Sequence, residues 1–519
     1  MTRIEAPPQA RPAPTLRRLR PLPRAPLSPP RAAEPAAPVA DWNRTTTTRD
    51  DGSHRLGAPS PLDLAPPPGR LGADNGRAPL LNAPDSTGRT STPRNTPARS
   101  DARPPEDREA FALPSAGVDR QAFDIEVSPV LSERPRQLFR FQPYEPTGIR
   151  VGSFTVLPEI EFAAFTDSNV LQESSARADE AIEVLPSVRI VSNWRVHALE
   201  VRASGAATRF HQLSSEDEDN YDIAIRGRID VRRRTNIEAM VSRSVSTESR
   251  SDLDAGPAGT ERADVTTDTV AVTLNQRFNR LALQLRGAVV DERVSDTSDP
   301  TTGLISNADR DEREDEVAIR ATWEFKPALF VFAEAAINWR TYGAPAASDG
   351  LRRDSQGERL RTGLSFGSTG QFLRGEISVG FGRQRPDDSR LASIDGILVD
   401  ANLTWRINGL TSASFNATTD FEGTTIAGSS GSKRHLVGLA LRHAFRRNVI
   451  TTAGVSYEVT EFEGAGIRER EFTATVALEY LLNRYAAMLG SYEFIDYRTS
   501  EDDPGYNDHK LRFGMRFRR

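Results

Sequence analysis

Six histidines, His54, His197, His211, His435, His443 and His509, are the residues with which this chain would run acid–base or metal chemistry near neutral pH. There is no cysteine, which excludes a disulfide framework, a thiolate zinc site and a cysteine nucleophile. His211 has Ser214 and Ser215 close by, the residue types of a serine hydrolase. No nucleophile elbow, HExxH helix or phosphate loop accompanies them. The sequence therefore predicts neither a catalytic residue, a metal nor a cofactor. The commoner polar chemistry is charge. Arginine supplies nearly all the cations, since the only lysines are Lys326, Lys433 and Lys510. Many of these cations, and many glutamates, sit at every second position of long apolar segments, where a charged wall facing water would place them.

The chain that must position them has two unlike parts. Of its 519 residues and 35 prolines, residues 1–150 hold 27 prolines, 22 Arg and 17 Asp or Glu, a net charge of +5. The remainder carries 45 Lys or Arg against 55 acids, a net of −10. Residues 1–145 are sparse in large apolar side chains, and cannot bury enough surface to offset the entropy of ordering. They are expected to form a disordered Pro/Arg-rich extension. Few aromatics interleave its arginines, Phe139 and Phe141 around Arg140 being the exception, so nucleic acid is not an expected partner. Residues 1–40 show no apolar stretch of 7–15 residues, so no secretory signal peptide is visible. No apolar run reaches the ~18 residues of a membrane-spanning helix.

From residue 146 onward one pattern repeats. In His509 to Phe517, Leu511, Phe513, Met515 and Phe517 alternate with Lys510, Arg512, Gly514 and Arg516. Period two means a strand with one apolar and one polar face. The same alternation recurs in Tyr221–Ile229, Leu281–Val289, Val317–Phe325 and Phe472–Tyr480. Short turns, such as Arg233-Arg234-Thr235 and Lys326-Pro327-Ala328, alternate with nine longer polar loops near 166–180, 211–219, 248–266, 292–315, 343–356, 385–395, 424–433, 463–469 and 499–507. About 18 strands of about 10–14 residues result, longer than the ~5–6 of soluble sandwiches and long enough for the ~9–11 of a tilted bilayer crossing. The predicted class is all-β: a transmembrane antiparallel barrel of 16–18 strands over 146–519, with turns periplasmic and loops outside. A soluble propeller is the competing architecture, but its blades have four short strands each.

Aromatic residues mark two depths. Trp194, Phe278, Trp323, Phe325, Trp405, Phe445, Tyr480 and Tyr485 lie beside the short turns. Phe210, Tyr221, Trp339, Tyr342, Phe381, Phe421, Phe462 and Tyr497 lie beside the long loops. Of these, Trp194, Trp323, Trp339, Trp405, Tyr480 and Tyr497 are the predicted girdle at the two membrane interfaces.

Three stretches carry a family resemblance. The first runs from Tyr144-Glu145-Pro146-Thr147-Gly148 through Leu157-Pro158 to Thr166-Asp167-Ser168-Asn169-Val170. The second comprises Arg353-Asp354-Ser355 and Arg374-Gly375-Glu376-Ile377-Ser378-Val379-Gly380. The third comprises Leu403-Thr404-Trp405-Arg406, Arg447-Asn448 and Asn483-Arg484. In their order and spacing, over about 145–519, the sequence resembles the Putative beta-barrel porin 2 family. The resemblance implies an outer-membrane barrel, with outer-membrane lipid, lipopolysaccharide and the barrel-assembly machinery as partners. It supplies no catalytic residue.

On the polar faces the alternation places Arg202, Arg226, Arg228, Arg286, Arg320, Glu334, Arg361, Arg374, Glu376, Arg442, Glu479, Lys510, Arg512 and Arg516 toward a lumen. Such a wall suits a water-filled channel, and its charges can also pair across neighbouring strands. The arginine excess points to anions. The acidic runs Glu216 to Asp219, Asp311 to Glu316 and Glu501 to Asp503 read as solvated loop faces. The expected function is a porin-like channel for small polar solutes; the alternative is a structural or polysaccharide-export barrel with no open pore.

Overall fold

A computed structural model describes residues 144–255, 261–299, 303–367, 372–500 and 505–519. Up to residue 143, the Pro/Arg-rich extension expected over 1–145 lies outside the described residues. The strands run β1 (Ile149–Val151), β2 (Phe154–Asp167), β3 (Asp179–Ser192), β4 (Ala198–Phe210), β5 (Glu218–Arg232), β6 (Thr235–Thr247), β7 (Asp264–Phe278) and β8 (Leu281–Val294). After a small hairpin of β9 (Thr297–Asp299) and β10 (Gly303–Ile305) come β11 (Glu312–Lys326), β12 (Leu329–Tyr342), β13 (Ser355–Phe366), β14 (Leu373–Pro386), β15 (Ile394–Arg406) and β16 (Thr411–Glu422). The last five are β17 (Ser432–Arg446), β18 (Val449–Phe462), β19 (Arg468–Leu481), β20 (Ala486–Thr499) and β21 (Tyr506–Arg518).

Eighteen of these close into one antiparallel barrel. Successive strands pair, β8 joins β11, and β21 returns to β2 from Glu159 opposite Arg518 to Asp167 opposite Lys510. Residues 154–167 are therefore a wall strand, and a single closed ring replaces the blades of a propeller. Closure gives every strand of the ring a partner on both sides, with the β15–β16 ladder confined to residues 400–406 of β15, which suits strands this long.

Side-chain period fixes the two faces. Leu511, Phe513, Met515 and Phe517 stand exposed on the outer surface, while Arg512 and Arg516 between them pair with carboxylates inside. The same inversion runs round the barrel. Ile223, Ile225 and Ile229 of β5, Val270, Val272 and Leu274 of β7, and Val437, Leu439 and Leu441 of β17 are all exposed. Among the described residues, buried apolar side chains form small separate clusters, such as Ile394 with Leu398 and Phe421, rather than one continuous core. An outer face this apolar is stable against lipid rather than water.

Local chemistry tunes the wall. Pro186 has no N–H to donate, and the β3–β4 ladder skips Leu185 and Pro186 without changing register. Three ladders shift by one residue just before their turn, between Asp230 and Arg232, Glu324 and Lys326, and Ala444 and Arg446.

Candidate functional site: a charged lumen with two loops folded into its mouth

All fourteen predicted wall residues take the lumenal side of their strands, and most meet an opposite charge. Arg320 donates to Glu376 at 2.7 Å, approaches Glu334 at 3.7 Å and lies 3.6 Å over the Phe332 ring. Arg361 reaches Glu334 at 3.8 Å and Asp400 at 3.5 Å. Arg286 donates to Glu316 at 2.6 Å, and Arg359 pairs with the same carboxylate. Arg512 bridges Glu161 and Glu183 at 2.6 and 2.9 Å; Arg516 bridges Glu161, Glu159 and Glu479 at 3.0–3.3 Å. Lys510 stands 3.4 Å from Asp167, and Arg228 2.9 Å from Asp230. Arg202 donates to Glu200 at 2.6 Å. Arg374 and Arg442 face inward by register. The buried charges are accepted in the wall because they are paired. Further down, the lumenal side chains of Ser204, Arg226, Asn402 and Asn416 are exposed, so the interior is open there.

The acidic runs are not uniformly solvated. Within residues 311–316, Glu314 and Glu316 are buried on the inner wall: Glu314 accepts from Asn338 at 2.6 Å and Arg340 at 2.9 Å. Glu216 is buried as well. It accepts from Arg250 at 2.8 and 3.1 Å, and Arg262 stands 3.2 Å away. Burial by itself would raise the Glu216 carboxyl; the hydrogen bonds and charge of Arg250, with Arg262 and Ser215, outweigh it and hold the group below the usual range.

Those arginines belong to the loop between β6 and β7, which folds into the mouth. Ser249 and the Ser251 amide both donate to Gln172 of the β2–β3 loop, at 2.7 and 3.0 Å. Glu248 pairs with Arg310 of the β8–β11 loop. Burial pushes the Glu248 carboxyl up despite that pairing. At its inner end Asp254 accepts from Thr424 Oγ1 at 2.7 Å, from Thr425 N at 2.9 Å and from Thr425 Oγ1 at 2.8 Å.

Thr424 and Thr425 belong to the second infolded loop, residues 423–431. Above Asp400 opposite Thr418, β16 leaves β15 and leans inward. The Phe421 ring packs on Ile394 and Leu398, over the facing glycines Gly382 and Gly396 of β14 and β15. Arg340 donates to the Phe421 carbonyl at 2.6 Å. Gly423 then passes so close to the Tyr342 hydroxyl and Glu312 that a Cβ would collide with both. Arg353 holds the far side, donating to the Ser429 carbonyl at 3.0 Å, the Ile426 carbonyl at 2.7 Å and Asp349 at 2.9 Å. Loop 423–431 carries no charge and no period, so nothing in its own residues signals this path.

The girdle needs one correction. Trp194, Trp323, Trp339, Trp405 and Tyr480 are exposed, and Trp405, on the outer face, keeps 50 % of its surface. Tyr497 keeps 9 %: it faces the lumen, stacks on Tyr506 and donates to Glu469. Met488 and Tyr492 set the outward parity of β20, and Tyr497 has the opposite parity. All eight aromatics beside the short turns are exposed. Beside the long loops, only Tyr221, Trp339 and Phe381 are; Tyr342, Phe421 and Phe462 are buried and Phe210 packs inward on Phe165.

Among solved structures, OpdO from Pseudomonas aeruginosa is similar at 12% identity and a TM-score of 0.38, over 71% of this chain and 98% of that one. A copper transporter, OprC, is similar at 10% identity and a TM-score of 0.40, over 72% of this chain and 81% of that one. Likeness this distant assigns neither a solute nor a residue role. No curated protein matches the sequence. The family model of Putative beta-barrel porin 2 matches residues 142–519, the whole of the barrel just described, and the chain belongs to that family.

Proposed function

We propose that this porin-like barrel lies in the outer membrane with its long loops outside, and that its short turns and the extension before residue 144 are periplasmic. It passes small polar solutes by diffusion through the charged lumen, past the two infolded loops, and has no catalytic role. The observation that carries this reading is the exposure of Ser204, Arg226, Asn402 and Asn416 on the inner face. A polar, solvent-accessible interior in a barrel of this strand number is wide enough for a channel. The paired charges argue against simple anion preference, because most lumenal arginines are neutralised by a neighbour. Lipopolysaccharide would meet the outer face near the long loops, and the barrel-assembly machinery would insert the chain.

The test is conductance of the full-length protein in planar bilayers. Discrete, ohmic openings are expected. Protein that shows the heat-dependent gel shift of a closed barrel, yet gives no openings, would instead be a structural or export-associated barrel whose loops seal its mouth.

A further inference from the structure

The two rims of the barrel carry opposite charge. The eight short turns, together with the last residue of each strand that ends at that rim and Arg519, contain twelve Arg or Lys and no Asp or Glu. The nine long loops, counted in the same way, contain 21 Asp or Glu and seven Arg. The net values are +12 and −14. Turns without a single acid are not the mixed surface that ordinary solubility requires, although Glu145, next to the Tyr144 carbonyl that Arg518 meets, adds one acid from the segment before β2 at this end.

Three of the turns share a device that aims this charge. In β5, β11 and β17 the ladder skips one residue just before the turn: Val231, Phe325 and Phe445. Each skipped residue is apolar and exposed, by 55, 58 and 65 %. Each is followed by an exposed cation, Arg232, Lys326 or Arg446, that ends the strand. In a regular strand consecutive side chains point to opposite faces, and a bulge breaks that rule. The effect is visible at β11, where the Lys326 ammonium lies over the Phe325 ring, 5.9 Å from its centre. None of the three cations has a carboxylate partner among the described residues. Beside them stand the exposed rings of Phe278, Trp323 and Trp405. Apolar side chain, aromatic belt and free cation follow one another toward the rim, as acyl chain, interface and phosphate do in a lipid leaflet.

We propose that the turn rim docks the anionic phospholipid headgroups of its own leaflet. The bulged apolar residue enters the acyl boundary and the cation after it meets the phosphate. The proposal rests on the membrane reading above but not on an open channel.

The full-length chain is reconstituted in phosphatidylcholine vesicles containing spin-labelled phosphatidylglycerol or spin-labelled phosphatidylcholine, and the motionally restricted fraction of each label is compared. One cation near a headgroup is worth about 1 kcal/mol, so the expected preference for phosphatidylglycerol is up to about fivefold at low salt. It should fall at high salt. The triple variant R232Q/K326Q/R446Q should lose most of it. A control at the loop rim, R177Q/R293Q/R390Q, should keep it. Equal restriction of the two labels, or a preference that survives the rim triple variant, overturns the proposal. So does abolition of the preference by millimolar glycerol phosphate, which would show a free-anion site rather than lipid docking. A heat-dependent gel shift confirms the barrel in each variant; a wild-type chain that fails to insert would count against the membrane reading instead.

Discussion

Asp254 takes three hydrogen bonds from Thr424 and Thr425, 170 residues further along the chain. The loops that carry them are rooted far apart. Eight strands separate the two roots one way round the ring and ten the other way. One carboxylate thus joins two loops inside the mouth. Asp254→Ala should leave the barrel intact by heat-shift assay and increase open-channel noise or mean conductance. A double-mutant cycle with Thr425→Ala, read from the closed-to-open ratio, should give a coupling of ~1–3 kcal/mol. Additive effects would mean that the loops move independently.

Gly423 tests how tightly the second loop is seated. Its missing Cβ leaves room for the Tyr342 hydroxyl and for Glu312, which are hydrogen-bonded to each other at 2.7 Å. Gly423→Ala should separate that pair or lift the loop, at a cost of ~1–3 kcal/mol typical of overpacking. Tyr342→Phe, which removes the crowded hydroxyl, should partly restore wild-type conductance in the Gly423→Ala background.

Arg353 is buried and donates to two carbonyls of the second loop, to the Asp349 carboxylate and, at 3.3 Å, to the Leu351 carbonyl. Arg353→Leu should free residues 423–431 to cleavage by an added protease while the strands stay protected. Because a buried carboxylate and carbonyls lose their donor, the local cost should reach several kcal/mol. Arg353→Lys should rescue only part of it, since an ammonium cannot span these acceptors in one plane.

Acid should loosen the first loop through Glu216. Its carboxyl is held below the usual range when folded, so its ionised form stabilises the folded mouth. That contribution is complete above the ordinary glutamate value of about 4.3 and is lost as pH falls through the lower folded value. Hydrogen exchange at residues 249–255, corrected for intrinsic rate, should therefore rise in this acid window and be raised already at neutral pH in Glu216→Gln. Equal exchange in both proteins at neutral pH would remove Glu216 from the latch.

The two faces predict opposite responses to the same substitution. Ile225, exposed in mid-strand on the outer surface, should cost ~2–4 kcal/mol when changed to Arg in a lipid-reconstituted unfolding titration. Ala224, its inward neighbour, should tolerate Arg with a much smaller loss.

The strands were legible because their faces differ chemically at every step. Leu511 to Phe517 and Ile223 to Ile229 need only a period of two to be assigned, and the alternation of short turns with long loops gives the order of the wall. Parity near the long loops was less legible: Tyr497 and Phe421 lie where an outer aromatic belt would be, and both turn inward. The loop that narrows the mouth was illegible in its own residues. Gly423 to Gly431 has neither charge nor period, and its path depends on Arg340, Arg353 and Asp254, supplied from distant strands and loops. A trace of it was nonetheless present, because the stretch Arg353-Asp354-Ser355 that carried the family resemblance includes the side chain that fastens the loop. Likewise Ser168 and Asn169 of the first stretch both donate to Asp508 across the barrel seam.

That seam has a consequence for how the molecule is made. Every other ladder in the ring joins strands that follow one another in the chain, or β8 and β11 with only the small β9–β10 hairpin between them, and can form soon after the second of the two is in place. The β2–β21 ladder joins residues as much as 359 apart, Glu159 opposite Arg518, and the bond from Arg516 to Glu161 spans 355. Its closure carries the largest loop entropy in the fold and has to wait for the last strand to arrive. Arg512 and Arg516, fastened to Glu159, Glu161 and Glu183, form a clasp across that junction. Assembly should thus end in a single slow step, with the ring either open or shut, and weakening the clasp should slow that step more than it weakens the finished barrel.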